Sequence, residues 1–312
     1  MSELNRFYSN GKLLLTGEYL VLDGATALAV PTKFGQDLII EKIKEPQLIW
    51  GSFTHTGECW FEAIFDLPKL RLANATFNSD QEGSAEFIAE TLQTILQEAR
   101  KLNTDFLQSE TGFVVNTNLT FPRDWGLGSS STLINNIAQW AEVNAFALLW
   151  NSFSGSGYDI ANAQNDTPIL YRLEDSQPKA EQINFNPSFK DQLYFVHLNK
   201  KQNSRDGISR YKENRTSAEN ENKRISEISV EILKAKTLQV FEELIVEHEQ
   251  IVSRTVKLKP IKEELFSDYF GAIKSLGAWG GDFILATGDE STPDYFKAKG
   301  YHTILSYSEM VL

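Results

Sequence analysis

The stretch of sequence that decides the fold is Pro122-Arg123-Asp124-Trp125-Gly126-Leu127-Gly128-Ser129-Ser130-Ser131-Thr132. It follows an alternating apolar pattern that predicts a strand over residues 113–119, and it precedes apolar residues at helical spacing. The N-terminus of a helix has unsatisfied N–H groups and the positive end of the helix dipole, so it attracts phosphate. Gly126 and Gly128 would let the backbone approach an anion closely. The stretch therefore predicts an anion-binding turn that opens a buried helix.

Three serines after the second glycine add hydroxyl groups to this turn. Ser129, Ser130 and Ser131 offer hydrogen bonds to a phosphate or a ligand for a phosphate-bound magnesium ion. The chain has no G-x-x-x-x-G-K-[ST] sequence, and the third glycine of the dinucleotide-binding G-x-G-x-x-G pattern is absent. Taken alone, the loop also fits a tight turn before a serine-capped helix.

Composition excludes several other classes of protein. The 312 residues include 30 basic and 42 acidic side chains, a net charge of −12; a nucleic-acid partner would require a basic surface. The single cysteine, Cys59, excludes an internal disulfide framework. No apolar run approaches the ~18–20 residues of a membrane span, and the N-terminal residues lack the apolar region of a signal peptide. We therefore expect a cytoplasmic monomer or homodimer without nucleic-acid or membrane partners.

The length fits two domains, and the polar segment 175–188, with its two prolines, is the predicted boundary. We place the domains at residues 1–178 and 179–312. The pattern predicts separate strands at residues 27–30 and 37–43, a helix capped by Ser84, and one long helix through residues 134–148. His248 falls on the apolar stripe of another helix, where a packed side chain is expected.

Two further glycine motifs flank this loop in sequence. Gly11-Lys12-Leu13-Leu14-Leu15-Thr16-Gly17-Glu18-Tyr19-Leu20-Val21-Leu22-Asp23-Gly24 lies near the N-terminus, and Gly277-Ala278-Trp279-Gly280-Gly281-Asp282 near the C-terminus. In this order, the three motifs resemble the signature motifs of the GHMP kinases (galactokinase, homoserine kinase, mevalonate kinase and phosphomevalonate kinase). The resemblance covers essentially the whole chain. It implies a two-domain α+β fold in which ATP and the acceptor meet in the cleft between the domains.

The resemblance also implies roles for particular residues. The middle loop of the family wraps the ATP phosphates, which assigns nucleotide binding to Gly126, Leu127, Gly128, Ser129, Ser130 and Ser131, with Ser130 as the Mg²⁺ ligand. Gly155-Ser156-Gly157-Tyr158-Asp159-Ile160-Ala161 is similar to the segment that carries the catalytic aspartate in the mevalonate branch. Asp159 is therefore the expected base and Lys12 its partner, because a nearby lysine lowers the pKa of a carboxylate and stabilises developing negative charge.

Contacts with the acceptor are implied in the same way. Residues 198–206 follow a predicted strand and concentrate three cations, and phosphomevalonate kinases have a similar segment near the phosphate of the acceptor. An arginine can bind a phosphate through two hydrogen bonds, with lysine as a point charge. A solvated loop is the alternative reading of this segment. The complete set of expected substrate-binding residues is Glu18, Lys201, Ser204, Arg205, Lys274 and Gly280.

Details of the motifs favour the phosphomevalonate kinase branch. Tyr19 follows Glu18 where mevalonate kinases and galactokinases usually have histidine, and Lys274 resembles the lysine of a Lys-x-x-Gly-Ala-x-Gly-Gly-Asp run. Two features depart from the family pattern. Trp279 replaces a glycine of the third motif, and residues 147–151 lack the acidic magnesium ligand that mevalonate kinases place about a dozen residues before the catalytic aspartate.

The sequence thus predicts an ATP- and Mg²⁺-dependent kinase that phosphorylates a small anionic metabolite, phosphomevalonate or mevalonate, in isoprenoid biosynthesis. A GHMP kinase acting on a sugar or another alcohol is an alternative, as is a diphosphomevalonate decarboxylase. A catalytically silent relative that binds a ligand as a sensor or scaffold is the alternative from a different class. Trp279 and the missing acidic metal ligand keep that last alternative open.

Overall fold

Twelve strands and ten α-helices are described in the computed structural model, which covers residues 4–78, 84–108, 110–200, 204–214 and 219–312. The chain forms two compact units that are interleaved in sequence. The first unit comprises Met1–Gly11, Phe34–Arg123 and Gly128–Gln164. The second comprises Lys12–Lys33, Asp124–Leu127 and Asn165–Leu312. Strands β1 (Asn5–Thr16) and β2 (Ala27–Ile43) each contribute residues to both units.

The first unit contains a sheet covered by helices. Its strands follow the order β5-β4-β3-β6-β2, in which β3 and β6 are parallel and the other neighbours are antiparallel. The remaining strands are β3 (Gln47–Phe53), β4 (Cys59–Asp66), β5 (Arg71–Phe77) and β6 (Gly112–Leu119). The helices are α1 (Ala85–Leu102), α2 (Ser129–Ala141), α3 (Ala145–Ser152) and α4 (Tyr158–Ala163). One apolar core joins inward-facing strand residues to the helices, for example Trp50 to Leu92 and Ile137.

The second unit combines a hairpin, a small sheet and a group of helices. The first residues of β2 pair with β7 (Ile169–Glu174), and β7 pairs with β8 (Gln177–Gln182). A separate antiparallel sheet follows the order β10-β11-β9-β12. Its strands are β9 (Leu193–His197), β10 (Ile273–Ser275), β11 (Phe283–Thr287) and β12 (Ile304–Ser306). The helices are α5 (Ser204–Asn214), α6 (Glu219–Ile232), α7 (Leu238–Val256), α8 (Ile261–Leu265), α9 (Thr292–Ala298) and α10 (Tyr307–Met310).

Several predicted elements are confirmed and others are corrected. Ser84 caps α1 by accepting a hydrogen bond from the Phe87 amide at 3.1 Å, as its position predicts. The single helix expected over residues 134–148 is two helices. Glu142 ends α2 with φ 55°, and Asn144 starts α3 by accepting a hydrogen bond from the Ala147 amide at 2.9 Å. Left-handed backbone followed by an N-cap stops a helix regardless of the apolar periodicity.

The two strands expected between residues 27 and 43 are one continuous strand, β2. Gly35 lies within this strand, and a β-carbon there would approach the Ser9 carbonyl oxygen to 2.4 Å, so the glycine serves a close contact and is not a break. Segment 175–188, the predicted domain boundary, contains strand β8 of the β7–β8 hairpin. The domain division at residue 178 stays a prediction, and the compact units do not follow it.

Among the described residues, no helix is long and apolar enough to cross a membrane.

Candidate functional site

Helix α2 begins without any side chain to cap it. Its N-cap residue, Gly128, has left-handed backbone with φ 89°, and the first helical hydrogen bond runs from the Thr132 amide to the Gly128 carbonyl at 3.0 Å. Ser130 is exposed, while Ser129 and Ser131 are half-buried. The amides of the first turn therefore lack the usual side-chain acceptor, and three hydroxyls stand beside them. This is the arrangement that suits a phosphate.

Buried polar side chains fix the start of α2 against the sheet of the first unit. The Thr132 hydroxyl donates to Gln36 Oε1 at 2.6 Å, and Gln36 Nε2 donates to the Thr117 hydroxyl at 2.8 Å. One turn further along, Asn136 Nδ2 donates to the Gln36 carbonyl at 2.9 Å. Buried polar side chains require hydrogen-bond partners, and these four residues supply them to one another. The position of the start of α2 relative to strands β2 and β6 is therefore restricted. These contacts of Gln36, Thr132 and Asn136 were not predicted. For Thr132 and Asn136, polar side chains on the apolar face of a predicted helix were the available signal.

The first half of the glycine loop is held within the second unit. Gly126 has φ 66°, and a β-carbon on it would lie 2.5 Å from the Asp282 carboxyl carbon. Lys12 contacts the same loop twice, because its amide donates to the Leu127 carbonyl at 3.0 Å and its Nζ to the Gly126 carbonyl at 3.2 Å. A glycine is required at residue 126 for both its conformation and its close approach to Asp282. The structure thus brings Lys12 and Asp282 to the loop.

The first and third glycine motifs are joined by two buried contacts. The Tyr19 hydroxyl donates to the Ala278 carbonyl at 2.8 Å, and Lys274 Nζ donates to the Glu18 carboxylate. Burial raises the pKa of the Tyr19 hydroxyl above its ordinary value, which keeps that donor protonated. Tyr19 also stacks on Tyr211, with ring centroids 5.8 Å apart. The tyrosine that stands where related motifs have histidine therefore connects two motifs that are about 260 residues apart in sequence.

Glu18 and Lys274 lie in the interior, at 1% and 0% exposure. Burial raises the pKa of the Glu18 carboxyl, and the Lys274 ammonium opposes that rise. His248 is 3.3 Å away, measured from its Nε2 to Glu18 Oε2. The structure shows these residues as a buried ion pair. The substrate contact implied for both stays a prediction, and it would require the pair to become exposed.

The turn of the third motif keeps glycine-like backbone in spite of its tryptophan. Trp279 has φ 53°, between Gly277 at 63° and Gly280 at 88°. Gly280 is exposed, and nothing lies within 4 Å of the place a β-carbon would occupy. Trp279 is 1% exposed, and its indole N–H has no hydrogen-bond partner in the described part of the chain. The substitution is therefore accommodated by burying the ring, and the backbone at Gly280 remains open to a ligand.

Asp159 lies in the first turn of α4, after the left-handed N-cap residue Gly157 with φ 87°. Its side chain is half-buried. One turn further, Asn162 Nδ2 donates to the Gly11 carbonyl at 3.2 Å, so α4 is attached to β1 within the first unit. Lys12, the next residue, belongs to the second unit. The predicted pairing of Asp159 with Lys12 stays a prediction.

Two of the three acceptor contacts expected in segment 198–206 fall at the start of α5. Lys201 lies outside the described residues. Ser204 and Arg205 open the helix, and their side chains are outside the described part of the structure. The expectation that this segment binds an anion therefore stays a prediction. Ligation of Mg²⁺ by Ser130 also stays a prediction. Among the described residues, no group of three or more histidine, cysteine, aspartate or glutamate side chains could hold a metal ion.

Comparison with known structures decides the fold. The structure matches Methanococcus jannaschii mevalonate kinase with a TM-score of 0.68 and 16% identity, covering 97% of each chain. It matches Streptococcus pneumoniae phosphomevalonate kinase with a TM-score of 0.67 and 16% identity, covering 97% of this chain and 99% of that one. It matches Lactococcus lactis galactokinase with a TM-score of 0.70 and 13% identity, covering 99% of this chain and 94% of that one. The chain has the GHMP kinase fold.

The α+β class and the resemblance predicted from the three motifs are thus confirmed. No protein-family model and no curated protein matches the sequence. At identities of 13–16%, the similarity to these structures shows the fold and no more. Within the GHMP kinase fold, a glycine loop of this chain opens a helix, and the flanking motifs contact each other through Tyr19 and the Glu18–Lys274 pair. These features were predicted as motifs, whereas their mutual contacts were not.

Proposed function

We propose that this protein is an ATP-dependent kinase that transfers the γ-phosphoryl group to a small anionic metabolite, phosphomevalonate or mevalonate. The single observation that carries the proposal is the uncapped, serine-rich start of α2, at the end of a loop that requires glycine. Such a helix start is suited to phosphate groups. Support for the reaction comes from the fold, which this chain shares with mevalonate kinases, a phosphomevalonate kinase and a galactokinase.

The residues of the loop fit a triphosphate and its magnesium ion. The amides of the first turn of α2 would bind phosphate oxygens, with Ser129 and Ser131 adding hydroxyl donors. Ser130 is exposed and would hold Mg²⁺. Magnesium usually keeps several waters and takes its other ligands from phosphates, so one hydroxyl is a sufficient protein contribution. The bound ion would neutralise charge on the phosphates, and the chain itself orients the nucleotide.

Asp159 is the proposed base and Lys12 its partner. Phosphoryl transfer needs positioning and charge neutralisation more than covalent help from the protein. An aspartate near the acceptor oxygen takes the proton that the new bond to phosphorus displaces, while ADP leaves. On mevalonate that oxygen is a hydroxyl and the product is a phosphoester; on phosphomevalonate it is a protonated phosphate oxygen and the product is a phosphoanhydride. The lysine stabilises the negative charge that develops on the oxygen. Lys12 is 9% exposed and already bonded to the Gly126 carbonyl, which fixes its position relative to the phosphate loop.

An anionic acceptor is proposed because of the three cations in segment 198–206. Lys201, Ser204 and Arg205 are the proposed contacts with its phosphate or carboxylate, and Gly280 offers open backbone. Tyr19 in the first motif favours phosphomevalonate over mevalonate or a sugar. The proposal includes a cytoplasmic location and a monomeric or homodimeric state. It also places the reaction in isoprenoid biosynthesis.

An ADP-release assay with ATP and Mg²⁺ tests this function, using mevalonate, phosphomevalonate and several sugars as separate acceptors. Turnover on phosphomevalonate or mevalonate supports the proposal. Turnover only on a sugar contradicts the proposed identity of the acceptor. Asp175→Asn is a matched control for Asp159→Asn, because Asp175 lies in the turn of the β7–β8 hairpin with φ 49°, which asparagine tolerates.

A ligand sensor is the second candidate, because Trp279 replaces a glycine of the third motif and residues 147–151 carry no acidic side chain. Under that reading, the protein binds ATP and turns over no acceptor. Direct titration with a non-hydrolysable ATP analogue, performed beside the assay, separates the two functions. Binding without turnover supports the sensor, and turnover excludes it.

A further inference from the structure

Helix α7 contributes two adjacent buried side chains, His248 and Glu249, that the proposed reaction does not use. Their exposures are 0% and 3%. His248 Nε2 accepts a hydrogen bond from the Gly17 amide at 2.8 Å and lies 3.3 Å from Glu18 Oε2. Burial and the Lys274 ammonium lower the pKa of His248, so the imidazole is neutral. A neutral ring can accept at Nε2, which matches the bond from Gly17.

Glu249 is attached to the third motif in the same way. The Ser275 amide lies 3.1 Å from each of its carboxylate oxygens, and the Ser275 hydroxyl donates to Oε1 at 2.6 Å. Ser275 ends β10 immediately before the turn of the third motif. Adjacent residues of one helix therefore hold the first motif at Gly17 and the third motif at Ser275.

The turn that begins after Ser275 ends at the phosphate loop. The Leu276 amide donates to the Phe283 carbonyl at 3.1 Å and closes the turn. On the far side, the Asp282 amide donates to the Lys200 carbonyl at 2.7 Å, and the Leu198 amide to the Asp282 carbonyl at 2.8 Å. The Asp282 carboxyl group lies against Gly126, where it occupies the space of a β-carbon. A displacement of the turn would therefore move the group that supports Gly126.

We infer that His248 and Glu249 are positioning residues for the phosphate loop: by holding Gly17 and Ser275, they fix the turn that places Asp282 against Gly126. This inference rests on the proposed function, since it assigns the loop to the nucleotide. Neither residue contacts the loop itself. Their effect passes through Gly17 and through the third motif, both of which lie with α7 in the second unit.

The charges around Glu249 give the inference a pH signature. The groups that face it are the Lys274 ammonium, the Glu18 carboxylate and the Ser275 donors, with neutral His248 beside it. Burial raises the pKa of Glu249 to about 7, and Glu18 adds to that rise while Lys274 and Ser275 oppose it. When the turn opens, the carboxyl group regains water and its ordinary pKa, so opening releases a proton. Opening is therefore favoured as pH rises toward 7 and levels off above it.

Hydrogen exchange of the amides of residues 275–283 measures this opening directly. After correction for intrinsic exchange, the opening equilibrium of the wild type should rise about tenfold between about pH 6 and about pH 8. Glu249→Gln keeps the shape and removes the titration, so its opening should be independent of pH. In Glu249→Ala, the opening equilibrium should exceed that of the wild type about tenfold or more at either pH. Glu247→Gln is the matched control, because that neighbour pairs with Arg224 at the surface.

Affinity for a non-hydrolysable ATP analogue, titrated on the same variants with Mg²⁺, connects the turn to the loop. Glu249→Ala and His248→Ala should weaken binding about tenfold while Glu247→Gln matches the wild type. Unchanged exchange in Glu249→Ala overturns the inference, and so does faster exchange with unchanged affinity. If the wild type binds no nucleotide, the proposed function fails and takes the positioning role with it. If exchange and affinity respond as expected but no acceptor is phosphorylated, the kinase proposal alone fails.

Discussion

Gly126 and Asp282 approach each other so closely that the glycine cannot carry a side chain. A β-carbon at residue 126 would lie 2.5 Å from the Asp282 carboxyl carbon and 2.7 Å from each of its oxygens. The two residues come from the second and third glycine motifs, which are separated by about 150 residues in the sequence. Their contact places the third motif directly against the second.

Replacing Gly126 with alanine should therefore damage the phosphate loop. The substitution combines positive φ with a collision against a buried carboxylate, and we expect a loss of about 3 kcal/mol in stability and at least about tenfold in nucleotide affinity. Gly300→Ala is the matched control, because Gly300 has φ 89° but nothing within 4 Å of its β-carbon position. Denaturant unfolding and analogue titration measure the two effects. Equal losses in the two variants would mean that backbone strain alone, without the Asp282 contact, matters at residue 126.

The proposed base is tested by replacing Asp159 with asparagine. Asparagine keeps the size and cannot take a proton, so turnover should fall about 10²- to 10⁴-fold while analogue affinity changes less than about twofold. Single-turnover rates and analogue titration provide the two measurements. Near-normal turnover would remove Asp159 from the role of base, and a parallel loss of affinity would indicate a binding role instead.

The buried carboxyl group of Glu249 should make global stability depend on pH. The pKa of Glu249 is about 7 in the folded protein and 4.5 as its ordinary value, so the folded state binds the extra proton between these values. Its contribution to the free energy of unfolding is complete below about pH 4.5 and is lost as pH rises through about 7. We expect a loss of about 2 to 3 kcal/mol over this window relative to Glu249→Gln, measured by urea unfolding. Parallel pH profiles for the two proteins would contradict the burial of an ionisable group here.

Lys274→Met should be strongly destabilising, because it leaves the Glu18 carboxyl group buried without its partner. Breaking a buried pair from one side costs about 3 to 5 kcal/mol. Lys299→Met is the control, since Lys299 pairs with exposed Asp268 at 2.9 Å and such a surface pair contributes at most about 1 kcal/mol. Adding Glu18→Gln to Lys274→Met should restore part of the stability. A cost of less than about 1 kcal/mol for Lys274→Met would show that the pair is open to water.

Local patterns were sufficient to predict part of this molecule. The glycine loop before α2 and the Ser84 cap of α1 depend on neighbouring residues, and both are confirmed. The order of three short motifs also predicted a fold that no sequence comparison detected. The continuity of β2 was missed, because the fit of Gly35 against Ser9 depends on the adjacent strand.

The interior contacts of the site were beyond sequence reasoning for a similar reason. Glu18 and Lys274 are 256 residues apart, and His248 is 231 residues from Gly17, whose amide donates a hydrogen bond to its ring. Their residue types are compatible with a solvated surface, so only the fold shows that they are buried together. Glu249 was missed entirely. A carboxylate beside a histidine on the apolar stripe of α7 was the only available signal.

Transfer of a radiolabelled γ-phosphate from ATP to phosphomevalonate or mevalonate tests the central claim most directly, with wild type and Asp159→Asn compared at saturating Mg²⁺. The account predicts that label moves to one of these acceptors with the wild type, and that Asp159→Asn slows the transfer at least about a hundredfold without loss of nucleotide binding. Label that stays on ATP, or that is released only as free phosphate with every acceptor, would contradict the account.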